Sequence, residues 1–213
     1  PKLVHYVQNI LRPKLVGLGG IEISDVPDNQ LLIRYGEGTS DASLLVMVYT
    51  PIQHHNLMED PFSGKVANAT ELGYDEPCVF GQGVSQNKAH HAVMLAVLTM
   101  LVEQNVRLPG TLHFAVNNEG RSSHLCTEQI LLALDQKPDF CILLRGTGMR
   151  ISLGNRGRVD VNAEIKGKAS HSSAPEAGLS TIEGANEFLN RLKQLQLPGS
   201  HPILGARHAI AYQ

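Results

Sequence analysis

Two uninterrupted apolar runs, Leu44-Leu-Val-Met-Val-Tyr49 and Phe140-Cys-Ile-Leu-Leu144, constrain the fold of this chain more than any other feature. A strand without polar alternation must be buried on both faces, the condition met inside a parallel sheet covered by helices. Leu31-Leu-Ile-Arg-Tyr35 and Thr111-Leu-His-Phe-Ala-Val116 read as two further strands. Helical segments fall between them, at about residues 87–104, rich in Ala, Val, Leu and Met, and at about residues 123–134. This alternation predicts an α/β fold with a mostly parallel sheet and helices on both faces. Ahead of it, Val4, Val7 and Leu11 form the apolar stripe of a short amphipathic helix that Pro13 is expected to end.

The pattern changes after Gly157. Val159-Asp-Val-Asn-Ala-Glu-Ile165 alternates strictly, as a strand with one wet face does. Ile182, Ala185, Leu189 and Leu192 mark the core-facing side of a helix that ends before Pro198-Gly199, and His208 to Tyr212 read as the start of another strand. The expected organisation is an α/β domain over residues 1–156 and a smaller, partial α+β unit over 157–213. A lone strand-helix-strand leaves sheet edges unpaired, so the second unit is expected to be incomplete.

With 213 residues, 42% of them hydrophobic, the chain is large enough for a real core in one domain plus a small companion. A formal charge of -2 and the lack of any long Lys/Arg run argue against nucleic acid or an anionic membrane as the main partner, leaving small neutral or zwitterionic ligands open. Cys78, Cys126 and Cys141 lack metal-type spacing and suit free thiols in a reducing compartment, so a cytoplasmic location is expected. No apolar run approaches the roughly 20 residues that span a bilayer, and the N-terminus has no charged-then-apolar signal pattern.

The segment Phe80-Gly-Gln-Gly-Val-Ser-Gln-Asn-Lys-Ala-His-His91 places a glycine turn after an apolar strand and before a helix, with Ser85 as the expected N-cap. Such a turn can offer a carboxylate to a divalent cation, which needs anionic oxygen or neutral imidazole in fixed geometry. Here it offers Gln86. Gly81 and Gly83 serve a tight turn, because the pattern lacks the further glycine and lysine spacing of phosphate-binding loops.

Five segments in order carry a resemblance: Asp60-Pro-Phe62 with Gly64-Lys65, Gly81 to Lys88, Asn117-Asn-Glu119, Gly154-Asn-Arg-Gly157, and Gly167-Lys-Ala-Ser-His-Ser-Ser-Ala-Pro175. Over about residues 44–192 the chain resembles the dinuclear-zinc amidohydrolases and exopeptidases that include acetylornithine deacetylase, succinyl-diaminopimelate desuccinylase, aminoacylase and the glutamate carboxypeptidases. The resemblance implies a zinc-exopeptidase-like fold with a lid or dimerisation domain, hydrolysis of peptides or N-acyl amino acids, and a homodimer formed through the lid.

Matched to that family, most metal ligands are replaced. Tyr49 stands where the resemblance implies a metal-binding histidine, Pro51 where it implies an aspartate, and Gln86 where it implies the bridging aspartate. Asn118 occupies the general-base position, Glu119 keeps a ligand position, and Arg145 replaces the next carboxylate. A general base contributes about 10²- to 10⁴-fold in rate, and even one group behind the ligands is worth about 10- to 100-fold. A unit charge about 4 Å from Arg145 would feel roughly 4 kcal/mol at an effective dielectric of 20, and a divalent cation about twice that. The expectation is a pseudoenzyme or an impaired hydrolase without a metal cofactor, with Arg145 paired to Glu119.

Two rival readings stay open: an active hydrolase with a remodelled zinc site, drawing on His54, His55, His90, His91 and His124, or a structural partner of an active paralogue. Adjacent histidines on a helix point about 100° apart, which disfavours His90 and His91 on one ion. The resemblance also implies that Arg156 contacts a substrate carboxylate and that His171 polarises a substrate carbonyl. A hinge ion pair for Arg156 and a turn-capping role for His171 are the plainer alternatives.

Overall fold

The computed structural model describes residues 2–37, 40–51, 58–119, 124–152 and 154–211, and these fall into two compact units, Pro1–Arg150 and Ile151–Gln213. The first unit begins with α1 (Lys2–His5), a π-helical run Tyr6–Leu11, and α2 (Arg12–Leu18). Pro13 does not end the helix as expected. It falls in the first turn of α2, and the Arg12 amide already reaches back to the Val7 carbonyl in the wider π spacing, so proline starts a segment instead of interrupting one.

The strands are β1 (Glu22–Val26), β2 (Gln30–Tyr35), β3 (Ser43–Tyr49), β4 (Val66–Ala69), β5 (Tyr74–Val79), β6 (Thr111–Asn117) and β7 (Phe140–Leu144). Five of them form one sheet in the order β1-β2-β6-β3-β7. β3 runs parallel to both β6 and β7, and the hairpin β1–β2 adds antiparallel strands beyond β6. The hairpin turns through Pro27, Asp28 and Asn29, the last two left-handed at φ 61 and 60, a conformation that Asp and Asn tolerate better than most residues. β1 and the separate hairpin β4–β5 went unanticipated because neither carries a clean two-residue apolar period.

Strand alternation divides the core. Leu31, Ile33, Tyr35, Val46, Val48, Leu112, Phe114 and Val116 pack on one face against Val7, Leu11 and Leu15 and against Met94 and Leu98 of α3 (Ala89–Glu103). Leu32, Leu45, Met47 and Ala115 pack on the other against Ile130 of α4 (Leu125–Leu132) and Leu134. Helices thus cover both faces of a mainly parallel central sheet. One expectation fails: β7 was read as a central strand, yet it is the sheet edge, with Phe140 70% exposed. α4 packs over β2 and β6, which leaves Leu143 exposed on that face; Phe140 and Ile142 point to the other face, where no helix among the described residues makes an extensive contact with β7.

In the second unit, Lys168 and Leu179 form an isolated antiparallel bridge, α5 spans Thr181–Gln194, and β8 (Ser200–His201) pairs with β9 (Gly205–Ala206). Ser180 caps α5 by accepting from the Glu183 amide at 3.2 Å. The bridge needs glycine at 167, where a Cβ would lie 2.6 Å from the Leu179 carbonyl oxygen. Residues 159–165 are not a strand, and neither are 208–211; Tyr212 lies outside the described residues. Alternation alone supplies no partner ladder, and no other strand of this unit hydrogen-bonds to them. None of the unit's described residues is buried, and Ile182 is 80% exposed, so the α5 stripe is not yet a core. Among the described residues no helix is long and apolar enough to cross a membrane.

Where β3 and β6 begin, a Cβ on Gly110 would sit 2.2 Å from the Ala42 carbonyl oxygen, which already accepts from the Thr111 amide at 2.9 Å. Gly110→Ala should therefore force the two strand starts apart and lower stability by about 1–3 kcal/mol. The measurement is a urea unfolding curve with its midpoint reduced at unchanged slope.

Candidate functional site

The ends of β3 and β6 lie side by side because the two strands pair in register over seven residues, Ser43 with Thr111 through Tyr49 with Asn117. The Thr50 amide continues the ladder by donating to the Asn117 carbonyl at 2.9 Å. In an open sheet of this kind, the crevice beyond the carboxyl ends of the parallel strands is where ligands bind. Tyr49, Thr50, Asn117, Asn118 and Glu119 all stand at that end.

Asn118 is fixed by the β1–β2 turn. Its Nδ2 donates to the Asp28 carbonyl at 3.0 Å and to the Asn29 carbonyl. A side chain facing two carbonyl oxygens must be a donor, which is why an amide suits this place and a carboxylate does not. Around it runs an amide network: Gln129 Nε2 donates to Asp28 Oδ2 at 2.9 Å, Gln30 Nε2 to Gln129 Oε1 at 2.8 Å, and Gln8 Nε2 to Asn29 Oδ1 at 2.8 Å.

Glu119 is also committed. Its carboxylate accepts from the Cys126 amide at 2.9 Å in the first turn of α4, so it meets the positive end of that helix, whose N-cap His124 makes no side-chain cap. The expected Arg145–Glu119 ion pair does not form among the described residues. Arg145 is exposed just past β7, and the helix amide supplies the partner that the carboxylate needs. Asn117, fully buried, holds the turn with Nδ2 to Thr127 Oγ1 at 2.9 Å and Oδ1 accepting from the Glu119 amide at 2.7 Å.

Across the crevice, Gly83 in the left-handed region at φ 75 starts a π-helical run, Val84–Lys88, that leads into α3. The helix therefore starts before Ser85, which is exposed and caps nothing. Gln86 is exposed on this run. Lys88 turns inward: its Nζ donates to the Thr50 carbonyl at 2.8 Å and lies 4.2 Å from the Tyr6 ring centroid. Tyr6 Oη is 2.9 Å from His91 Nδ1, with the rings stacked at 5.5 Å. Burial pushes the Lys88 ammonium down to about 8 and the Tyr6 phenol up to about 12. Burial, reinforced by the Lys88 charge and opposed by the Tyr49 backbone, holds His91 down to about 4. His90 is lowered by burial, with the Gln86 backbone opposing.

Sequence reasoning named Lys88 and His91 but missed Tyr6, whose contact is made from a helix more than eighty residues away. It also missed Asp28, Asn29 and Gln129, since a side-chain amide carries no periodic signal. In the second unit, His171 Nδ1 accepts from the Ser173 amide at 3.2 Å and lies 2.8 Å from Ser173 Oγ, so this histidine closes a turn. A Cβ on Gly205 would lie 3.3 Å from Arg156 Nη2, which puts that guanidinium across the β8–β9 hairpin.

A dinuclear metal centre does not fit these donors. Tyr49, Gln86 and Asn118 offer no carboxylate or imidazole, Glu119 is held by a helix amide, and among the described residues no three His, Cys, Asp or Glu side chains are grouped to hold a metal ion. Of the histidines considered for a rebuilt site, His54 and His55 lie outside the described residues, His91 is engaged with Tyr6, and His124 is exposed.

Two outcomes follow. Asn118→Asp should destabilise the first unit by about 1–3 kcal/mol, because it removes two hydrogen bonds and faces acceptors with acceptors. The loss should be larger at pH 7.5 than at pH 4, where the new carboxyl can be protonated and donate; urea midpoints at the two pH values measure it. Between pH 6.5 and about 4 the unfolded chain binds a proton at His91 that the folded chain does not, so stability falls as pH is lowered through that window, by at most about 1.4 kcal/mol per pH unit. His91→Gln should show a lower midpoint at pH 7 but a flatter acid dependence, and an unchanged slope would refute the assignment.

Residues 153–206 match the family described as peptidase dimerisation domain. Acetylornithine deacetylase of Proteus mirabilis is 26% identical over 196 residues, 88% of this chain and 48% of that protein. Carboxypeptidase G2 of Pseudomonas sp. is 28% identical over 116 residues, 53% of this chain and 28% of that protein. A tripeptidase structure from Staphylococcus aureus superposes with a TM-score of 0.56 at 19% identity, covering 88% of this chain and half of that one, a likeness of fold. The chain thus spans about half the length, or less, of the relatives it matches. Its second unit matches a peptidase dimerisation domain, and the chain is similar to peptidases and amidohydrolases such as acetylornithine deacetylase and carboxypeptidase G2.

Proposed function

We propose that this chain is a non-catalytic member of its family that keeps the hydrolase fold and a cleft for small carboxylates or peptides. The observation that carries the reading is Asn118, the residue at the general-base position, whose amide donates to the backbone carbonyls of Asp28 and Asn29. An amide cannot take a proton from water near neutral pH, and here its nitrogen is turned into a structural turn. Glu119 at the neighbouring position supports the same reading, since its charge serves the first turn of α4. In this proposal Tyr49, Gln86 and Arg145 leave no dinuclear centre, and zinc is not a resident cofactor.

Arg156 is the proposed contact for a ligand carboxylate, because a guanidinium recognises that group bidentately, and His171 is proposed to line the same ligand site through its free Nε2. The location proposed is the cytoplasm, and the proposed domain boundary is at residues 156–157, a few residues past the division of the compact units after Arg150. A second reading, a role as the partner subunit of an active paralogue or as a homodimer, is favoured by the match of residues 153–206 to a dimerisation domain and by the lack of any buried residue in the described part of the second unit.

The test is hydrolysis of N-acyl amino acids and dipeptides by purified protein loaded in turn with zinc, cobalt and manganese, alongside elemental analysis. The expected result is substoichiometric metal and no metal-dependent amide cleavage, with Asn118→Glu restoring none. Stoichiometric metal with metal-dependent turnover would sink the proposal.

A further inference from the structure

We draw no further inference here: the strongest candidate, the apolar edge strand β7 with Phe140, Ile142 and Leu143 exposed, is an unpartnered face of the sheet, and nothing in the structure shows what covers it.

Discussion

The seven-residue parallel ladder between β3 and β6 is the constraint on which the first unit rests. It brings together two strand ends more than sixty residues apart and so creates the only kind of place where an open α/β sheet gathers polar side chains at a common edge. Both core clusters draw on these two strands, Val46, Val48, Phe114 and Val116 for one face and Leu45, Met47 and Ala115 for the other. Loss of register by one residue would exchange these sets and turn Tyr49 and Asn117 away from each other.

What stands at that edge is electrostatically unlike a metal centre. A cation site needs several negative or imidazole donors converging with their lone pairs free. Here the converging groups are amides and one ammonium. Lys88 brings its own positive charge to the Thr50 carbonyl and the Tyr6 ring, and no carboxylate among the described residues is paired with it. The partial charges of a carbonyl and an aromatic face satisfy one ammonium, and adding divalent ions nearby would oppose a charge already in place. The acid at this edge, Glu119, is held by the first turn of α4, where its carboxylate accepts from the Cys126 amide.

Much of this fold was legible because its signal is repeated along the chain. Every strand of the parallel core and both main helices of the first unit announce themselves by apolar runs or helical periodicity, since many residues vote for the same element. The errors share a different cause. Phe140–Leu144 is as apolar as a central strand, but whether it is central depends on which strands pair beside it and how far the helices on both faces reach, which composition does not encode. Residues 159–165 alternate well, yet a strand exists only with a partner. The site was legible at the positions of its residues and illegible in their partners: Asn118 was singled out, whereas its bonds to Asp28 and Asn29 depend on a three-residue turn about ninety positions earlier. Likewise the Arg145–Glu119 pair was a reasonable charge argument defeated by a backbone amide, a donor that every residue carries and no sequence pattern displays.

The second unit makes the opposite case, in which sequence pattern outruns local structure. α5 has Ser180 as its N-cap, Glu183 in its first turn and Arg191 and Lys193 at its end, the charge pattern an isolated helix needs. Yet its apolar stripe finds little to bury: Gly184 lets Ile165 approach, Leu189 and Leu192 are partly covered, and Ile182 is left in water. Helices in water gain most of their stability from packing such a stripe, so the capping terms of α5 cannot hold this unit by themselves. A segment that matches a dimerisation domain has no buried residue among those described. Under the dimer reading proposed above, its stability should rise with protein concentration, while that of the first unit, with its own two-faced core, should not.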